Sequence, residues 1–171
     1  DMRYGNGQLT AKTIVNEYKE NQIEKIIKEY GEENFARQIA RAITKQRKVK
    51  KIECTFELKR IIEETVGLKY RGERIHCATR TFQALRIAVN EELDNLAKAL
   101  PQALEILAPG GRLAVISFQS LEDRIVKNFI KQQEKGGVVT ILTKKPIIAS
   151  DEEIASNLRS RSAKLRVLQK Q

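Results

Sequence analysis

A change of rhythm at residue 109 constrains this chain more than any other feature. Up to Leu107 the apolar residues recur at steps of three and four, the spacing of one helix face after another. PGG at 109–111 then makes a turn, and RLAVISF at 112–118 is a short β-rich apolar run of the kind that a strand covered on both faces carries. Further strands are expected at 138–142 (VVTIL) and 164–169, where KLRVL alternates. A helix opening at Ser120, with Asp123 three residues on as in a capping box, separates the first two strands, and a short helical turn is expected around DEEIAS. The order implies an all-helical part joined to an α/β part.

Within the helical part, Thr10 is a plausible cap for AKTIVNEY, and Asn21 for QIEKIIKEYG, whose Ile23, Ile26, Ile27 and Tyr30 share a face. A third helix runs through EENFARQIARAITKQRK and ends in the basic KQRKVKK, which suits a helix C-terminus as well as it suits phosphate. Thr55 can cap FELKRIIEETVG, which closes at Gly67. After the polar loop KYRGERIHCA, Thr79 or Thr81 can cap one long helix. Its stripe of Leu85, Val89, Leu93, Leu96, Leu100, Leu104 and Leu107 should be buried, with a kink at Pro101.

Charge narrows the partners. Lys and Arg number 32 against 22 acids, a net charge of +10, so polyanions are favoured and nucleic acid first among them. The two cysteines, Cys54 and Cys77, form neither a CxxC pair nor a disulfide framework, which argues against structural zinc and for a reducing compartment, the cytoplasm by default. One histidine, His76, excludes a His-rich metal site, and its own role is expected to be structural. No apolar run approaches the roughly 20 residues that a membrane span needs.

HCATRTFQALR, residues 76–86, places Arg80 beside a helix start and Arg86 in its early turns. Free backbone N–H groups there, with a hydroxyl from Thr79 or Thr81, would suit an anion, so the stretch is expected to face phosphate. The alternative for Arg80 is a salt bridge to an acid such as Glu91 or Asp123.

Several ordered blocks, DMR at 1–3, EYGEENFARQIARAI at 29–43, HCATRTFQALRIAVNEEL at 76–93, LAPGGRLAVISFQSLEDRIVK at 107–127, LTKKPI at 142–147 and SRSAKLRV at 160–167, closely resemble the RsmH (MraW) family of bacterial methyltransferases. The resemblance implies a Rossmann-like, class I α/β fold with an inserted helical domain. It also implies S-adenosylmethionine as cofactor and N4-methylation of a cytidine in the decoding region of 16S rRNA, within the small ribosomal subunit. On that pattern residues 1–7 end a strand and loop of the cofactor domain, 8–78 are the insertion and 79–171 the C-terminal part of the methyltransferase domain.

The family's glycine-rich cofactor turn has no counterpart here, since Gly5 and Gly7 follow no strand and Gly110 and Gly111 precede one; it is expected upstream of Asp1. The expected consequence is an uncovered apolar edge at RLAVISF that a partner segment or a second copy, as a homodimer, would cover. By the resemblance Asp1 and Arg3 lie near the methyl donor, with Asp1 accepting a hydrogen bond from the target amine. Ser117, Gln119 and Ser120, at a strand's C-terminal end, are candidates for shaping the base pocket. Gln119 stands where the family usually has His, and a neutral amide cannot take a proton as imidazole can. Arg159, Arg161, Lys164 and Arg166 are candidate contacts to the rRNA backbone, in a loop where Leu158 replaces the family's usual Pro. The competing reading is a non-catalytic, basic rRNA-binding relic of such an enzyme.

Overall fold

The computed structural model describes residues 1–72 and 74–171; Glu73, inside the expected polar loop, lies outside the described residues. The chain divides into two compact units, Asp1–Glu92 and Leu93–Gln171.

The first unit is helical: α1 (Ala11–Glu17), α2 (Glu20–Gly31), α3 (Ala36–Val49), α4 (Thr55–Val66), a 3-10 turn at Gly67–Tyr70, and α5 (Thr79–Asn90). Its core is a single cluster in which Ile14, Ile23, Ile27, Ile39, Ile43, Ile62 and Leu85 are fully buried. Thr10 caps α1 as expected, its hydroxyl accepting from the Thr13 N–H at 3.0 Å. The next starts differ by one or two residues. Helix α2 begins after Lys19, whose N–H donates to the Gln22 side chain at 2.9 Å, so Asn21 is already helical. Helix α4 begins after Cys54, with the Glu57 carboxylate taking the N–H groups of Glu53 and Cys54 at 2.7 and 3.3 Å. In both, a longer side chain three residues inside the helix reaches back to the N–H of the cap residue, the reverse half of a capping box, where a Thr or Asn was expected to cap from outside.

Helix α5 corrects two expectations. Its cap is Ala78, without a side-chain bond; Thr79 is its first residue, and Thr81 is wholly buried with its hydroxyl unpartnered among the described residues. Nor does α5 run on to residue 107. It stops at Asn90, Glu91 takes a left-handed conformation (φ 49°), and a new helix, α6 (Glu92–Glu105), follows. The leucine stripe is therefore divided: Leu85 and Val89 belong to the first unit's core, while Leu96, Leu100, Leu104 and Leu107 belong to that of the second. Pro101 sits inside α6.

The second unit continues with β1 (Arg112–Ser117), α7 (Ser120–Lys135), β2 (Val139–Ile141), β3 (Ile147–Ile148), α8 (Asp151–Ser156), a 3-10 turn at Leu158–Ser162 and β4 (Lys164–Lys170). The three expected strands and the DEEIAS turn are all present. Strand β4 lies between β1 and β2 and is antiparallel to both, with Val115 opposite Arg166 and Thr140 opposite Gln169; β3 also pairs with β4. The unit is thus a mixed α/β layer. Val126 and Ile130 of α7 pack with Val139 and Leu168 of the sheet in one buried cluster. Strand β1 borders the sheet, and its residues Ala114 and Ile116, followed by Phe118, remain exposed.

The cap of α7 lies one residue earlier than the expected Ser120, which is itself the first helical residue. Gln119 is its cap, and Glu122 accepts from the Gln119 N–H at 3.3 Å and from its amide at 3.0 Å. Asp123, expected to complete a box with Ser120, is engaged by Arg166 of β4 instead.

Candidate functional site

In the first unit the DMR block is folded into a tight loop. Arg3 donates twice to the Asp1 carboxylate, both at 2.6 Å, and once to the Gly7 carbonyl at 2.8 Å. Met2 is left-handed (φ 68°), and Asn90, the last residue of α5, fastens the loop from both sides. Its amide donates to the Met2 carbonyl and its oxygen accepts from the Tyr4 N–H, each at 2.8 Å. A helix end thus fixes three residues that have no regular structure of their own.

Beside this loop is a cleft of about 390 Å³ lined by Met2, Arg3, Tyr4, Thr79, Phe82, Gln83 and Arg86. It combines an aromatic wall with a few polar groups, the composition that small-molecule sites use. Arg3, expected near the methyl donor, and Thr79 and Arg86, expected to face phosphate, all line this cleft, whereas Asp1 does not; Phe82, whose place among helical apolar positions reads as core, and Asn90, whose contacts lie 86 and 88 residues away, were not singled out by the sequence.

The arginines of the HCATRTFQALR stretch meet acceptors within the chain. The Arg86 guanidinium grips Glu92 with two bonds at 2.8 and 3.0 Å. Arg80 donates to the Glu32 carbonyl at 3.4 Å, just past the end of α2, where carbonyls lack helical partners. Arg80 thus takes a backbone carbonyl rather than the Glu91 or Asp123 carboxylate that the sequence offered. His76 is structural as expected: Nδ1 accepts from the Ala78 N–H at 3.1 Å, and Nε2 is 2.9 Å from Glu63. Glu63 is held below the usual carboxylate range by Lys59 first and by His76 second.

In the second unit, Ser117 is buried at the end of β1, its hydroxyl 3.5 Å from the Lys164 carbonyl. Gln119, half-buried, is committed to capping α7. Arg166, which the sequence suggested as a contact to RNA, is buried instead, donating two hydrogen bonds to Asp123 at 2.7 and 3.2 Å. Lys164 approaches the same carboxylate at 3.6 Å. The Arg166 hydrogen bonds, chiefly, hold the Asp123 carboxyl below its ordinary range. Arg159 and Arg161 are exposed on the 3-10 turn before β4. Among the described residues no group of three or more His, Cys, Asp or Glu could hold a metal ion, and no helix is long and apolar enough to cross a membrane.

The sequence model of the MraW methylase family matches residues 1–171. The chain belongs to the MraW methylase family. Relatives called ribosomal RNA small subunit methyltransferase H agree with it: that of Coprothermobacter proteolyticus is 56% identical over 171 residues, covering 99% of this chain and 56% of the relative. The Heliobacterium modesticaldum protein is 50% identical over 186 residues (99% and 59%), and that of Synechococcus elongatus 51% over 171 (99% and 56%). The MraW-family chain described here spans a little over half the length of these relatives.

Proposed function

We propose that this MraW-family chain is the substrate-facing part of a cytoplasmic, S-adenosylmethionine-dependent enzyme of the Rossmann-like class I fold. The reaction is methylation of the exocyclic N4 amine of a cytidine in 16S rRNA. The observation that carries the reading is the match of the whole chain to the family, with half or more of its residues identical to those of proteins named as small-subunit rRNA methyltransferases. Charge agrees with it, since an excess of ten positive charges suits an RNA partner.

The residues present are compatible with one side of a site for the cofactor and the base. The cleft beside Arg3 has the volume for a single nucleoside, an aromatic wall in Phe82 and Tyr4, and hydroxyl and amide groups in Thr79 and Gln83. The cofactor, when bound, supplies an electrophilic methyl group. What this chain supplies is positioning. Arg3 holds Asp1 in one orientation, so the carboxylate can accept a hydrogen bond from a cytosine amine through its remaining lone pairs. Ser117 and Gln119 act by shaping the turn after β1: one is buried under it and the other caps the helix that leaves it. Arg159, Arg161 and Lys164 neutralise RNA phosphates, Arg80 ties the α5 start to the end of α2, and Arg86 ties the last turns of α5 to Glu92.

The test is transfer of labelled methyl from S-adenosylmethionine to small ribosomal subunits by the full-length protein, followed by nuclease digestion and mass spectrometry of the nucleosides. Label in N4-methylcytidine is expected, with a loss of at least tenfold in Asp1→Asn. Label absent from cytidine overturns the reading, and RNA binding without transfer would favour a non-catalytic RNA-binding protein.

A further inference from the structure

Residues 45–60 carry seven basic side chains against two acidic ones, and within this stretch two large apolar side chains stand in solvent, Val49 at 84% exposure and Phe56 at 78%. A single exposed apolar residue is ordinary. What sets Phe56 apart is its company. It is the second residue of α4 but off that helix's buried stripe of Leu58, Ile62 and Val66. It borders a groove of about 320 Å³ between the end of α3 and the start of α4, with Gln46, Lys50, Lys51 and Arg60 around it.

The two acids that line this groove are occupied. Glu57 takes Lys50 at 2.7 Å and the Glu53 N–H at the same distance, while Glu64 takes Arg60 at 3.0 Å. Glu53 is paired with Lys12. Lys45, Lys48 and Lys51 pair with no carboxylate among the described residues. The result is an open aromatic ring beside a groove whose negative charges are already matched and whose remaining charges are positive.

We propose that Phe56 is a stacking platform for an unpaired RNA base, with Lys51 and its neighbours at the end of α3 contacting the flanking phosphates. Aromatic rings beside cationic tracks are how proteins hold single-stranded RNA, because every base has a face to stack and a phosphate to neutralise. An acidic protein segment would use the lysines but would leave the ring without purpose. This deepens the reading of the chain as part of an enzyme acting on ribosomal RNA, on which it rests: the groove is a second contact, apart from the cleft at Arg3, that would hold RNA flanking the target.

The experiment uses the full-length protein and a fluorescein-labelled, twelve-nucleotide oligouridylate, with fluorescence anisotropy read at several salt concentrations. The variants are Phe56→Leu, Phe56→Tyr and Lys51→Gln. Phe56→Leu is expected to weaken binding about tenfold, in line with the loss of one stacked base, and Phe56→Tyr to bind as the parent does. Lys51→Gln should lessen the steepness of the log affinity against log salt plot by about 0.7, one phosphate contact to a single strand. Equal binding by parent and Phe56→Leu overturns the proposal and leaves the patch to a protein partner; so does equal weakening by the Leu and Tyr variants. Methyl transfer by the unaltered protein is measured alongside. No transfer to small subunits counts against the rRNA methyltransferase reading, whereas normal transfer with an inert Phe56 counts against the stacking platform alone.

Discussion

Replacing Gly31 by alanine should destabilise the first unit, although most glycines inside helix ends gain from that change. Gly31 is the last residue of α2 and is buried where α2 meets the start of α5. A Cβ built there would lie 2.7 Å from the Arg80 carbonyl oxygen, 3.2 Å from its carbon and 3.3 Å from the Ala84 Cβ. Ordinary contacts between such atoms begin near 3.5 Å, so α5 must retreat by roughly half an ångström or more. Because two of the three obstacles are backbone, no rotamer change relieves it. Overpacking of this kind costs about 1–3 kcal/mol, against at most ~1 kcal/mol gained from the better helix propensity of alanine. At the middle of that range, ~2 kcal/mol, the net is a loss of about 1–2 kcal/mol.

With a urea dependence near 2 kcal/mol per molar, that loss lowers the unfolding midpoint by about 0.5–1 M. Gly67→Ala is the matched control. Gly67 has φ −55° and ψ −40°, and the nearest obstacle to its Cβ is 3.9 Å away, so alanine there should be neutral or stabilising by up to ~1 kcal/mol. Circular dichroism at 222 nm through a urea series reads both. A Gly31→Ala midpoint equal to or above that of the parent would refute the reasoning.

Asp123→Asn should cost about 3 kcal/mol near neutral pH, because it strips the partner from the buried Arg166. Since the Asp123 carboxyl is depressed in the fold, its contribution is whole above the unfolded value near 4 and is lost as pH falls through the lower folded value. Urea midpoints of parent and variant should therefore converge only below about pH 4. Tyr70→Phe removes the phenol that donates to the buried Glu33, whose carboxylate also accepts from the Phe35 N–H, and should lower stability by about 1–3 kcal/mol in the same assay. Burial first, and Glu33 second, push the Tyr70 phenol up, so of the four tyrosines one should fail to ionise with the ordinary population near pH 10 when absorbance at 295 nm is followed. Asn90→Ala should free the loop at residues 1–7, seen as faster proteolysis there with the α5 helix signal retained.

What could be read from the sequence followed local rules. RLAVISF and KLRVL formed strands because a β-branched, apolar run between turn residues has few other uses, and Thr10 capped α1 because its hydroxyl sits where the first free N–H groups are. The break at Glu91 could not be read. It falls within VNEEL, without Gly or Pro, and the leucine stripe passes through it in phase; its cause is that the two ends of the stripe enter different cores. For the same reason the position of β4 between β1 and β2 was hidden, since strand order is a long-range outcome. Near the candidate cleft the sequence singled out Asp1, Arg3 and Arg86, but not Gly7, which takes Arg3, Glu92, which takes Arg86, or Asn90, which holds Met2 and Tyr4. The destinations of Arg80 and Arg166 depended on where α2 ends and α7 begins.

The single imidazole of this chain gives it an address that chains with several histidines lack. The ring of His76 is tied to Ala78 at the threshold of α5 and to Glu63 on α4. Its carbon-bound protons are therefore one pair of resolvable resonances, placed without any assignment at the junction of two helices and three residues from Thr79 in the cleft wall. A ligand entering that cleft, or a shift of α5 against α4, would register there in an unlabelled sample, with no engineered probe and no second site to confuse it.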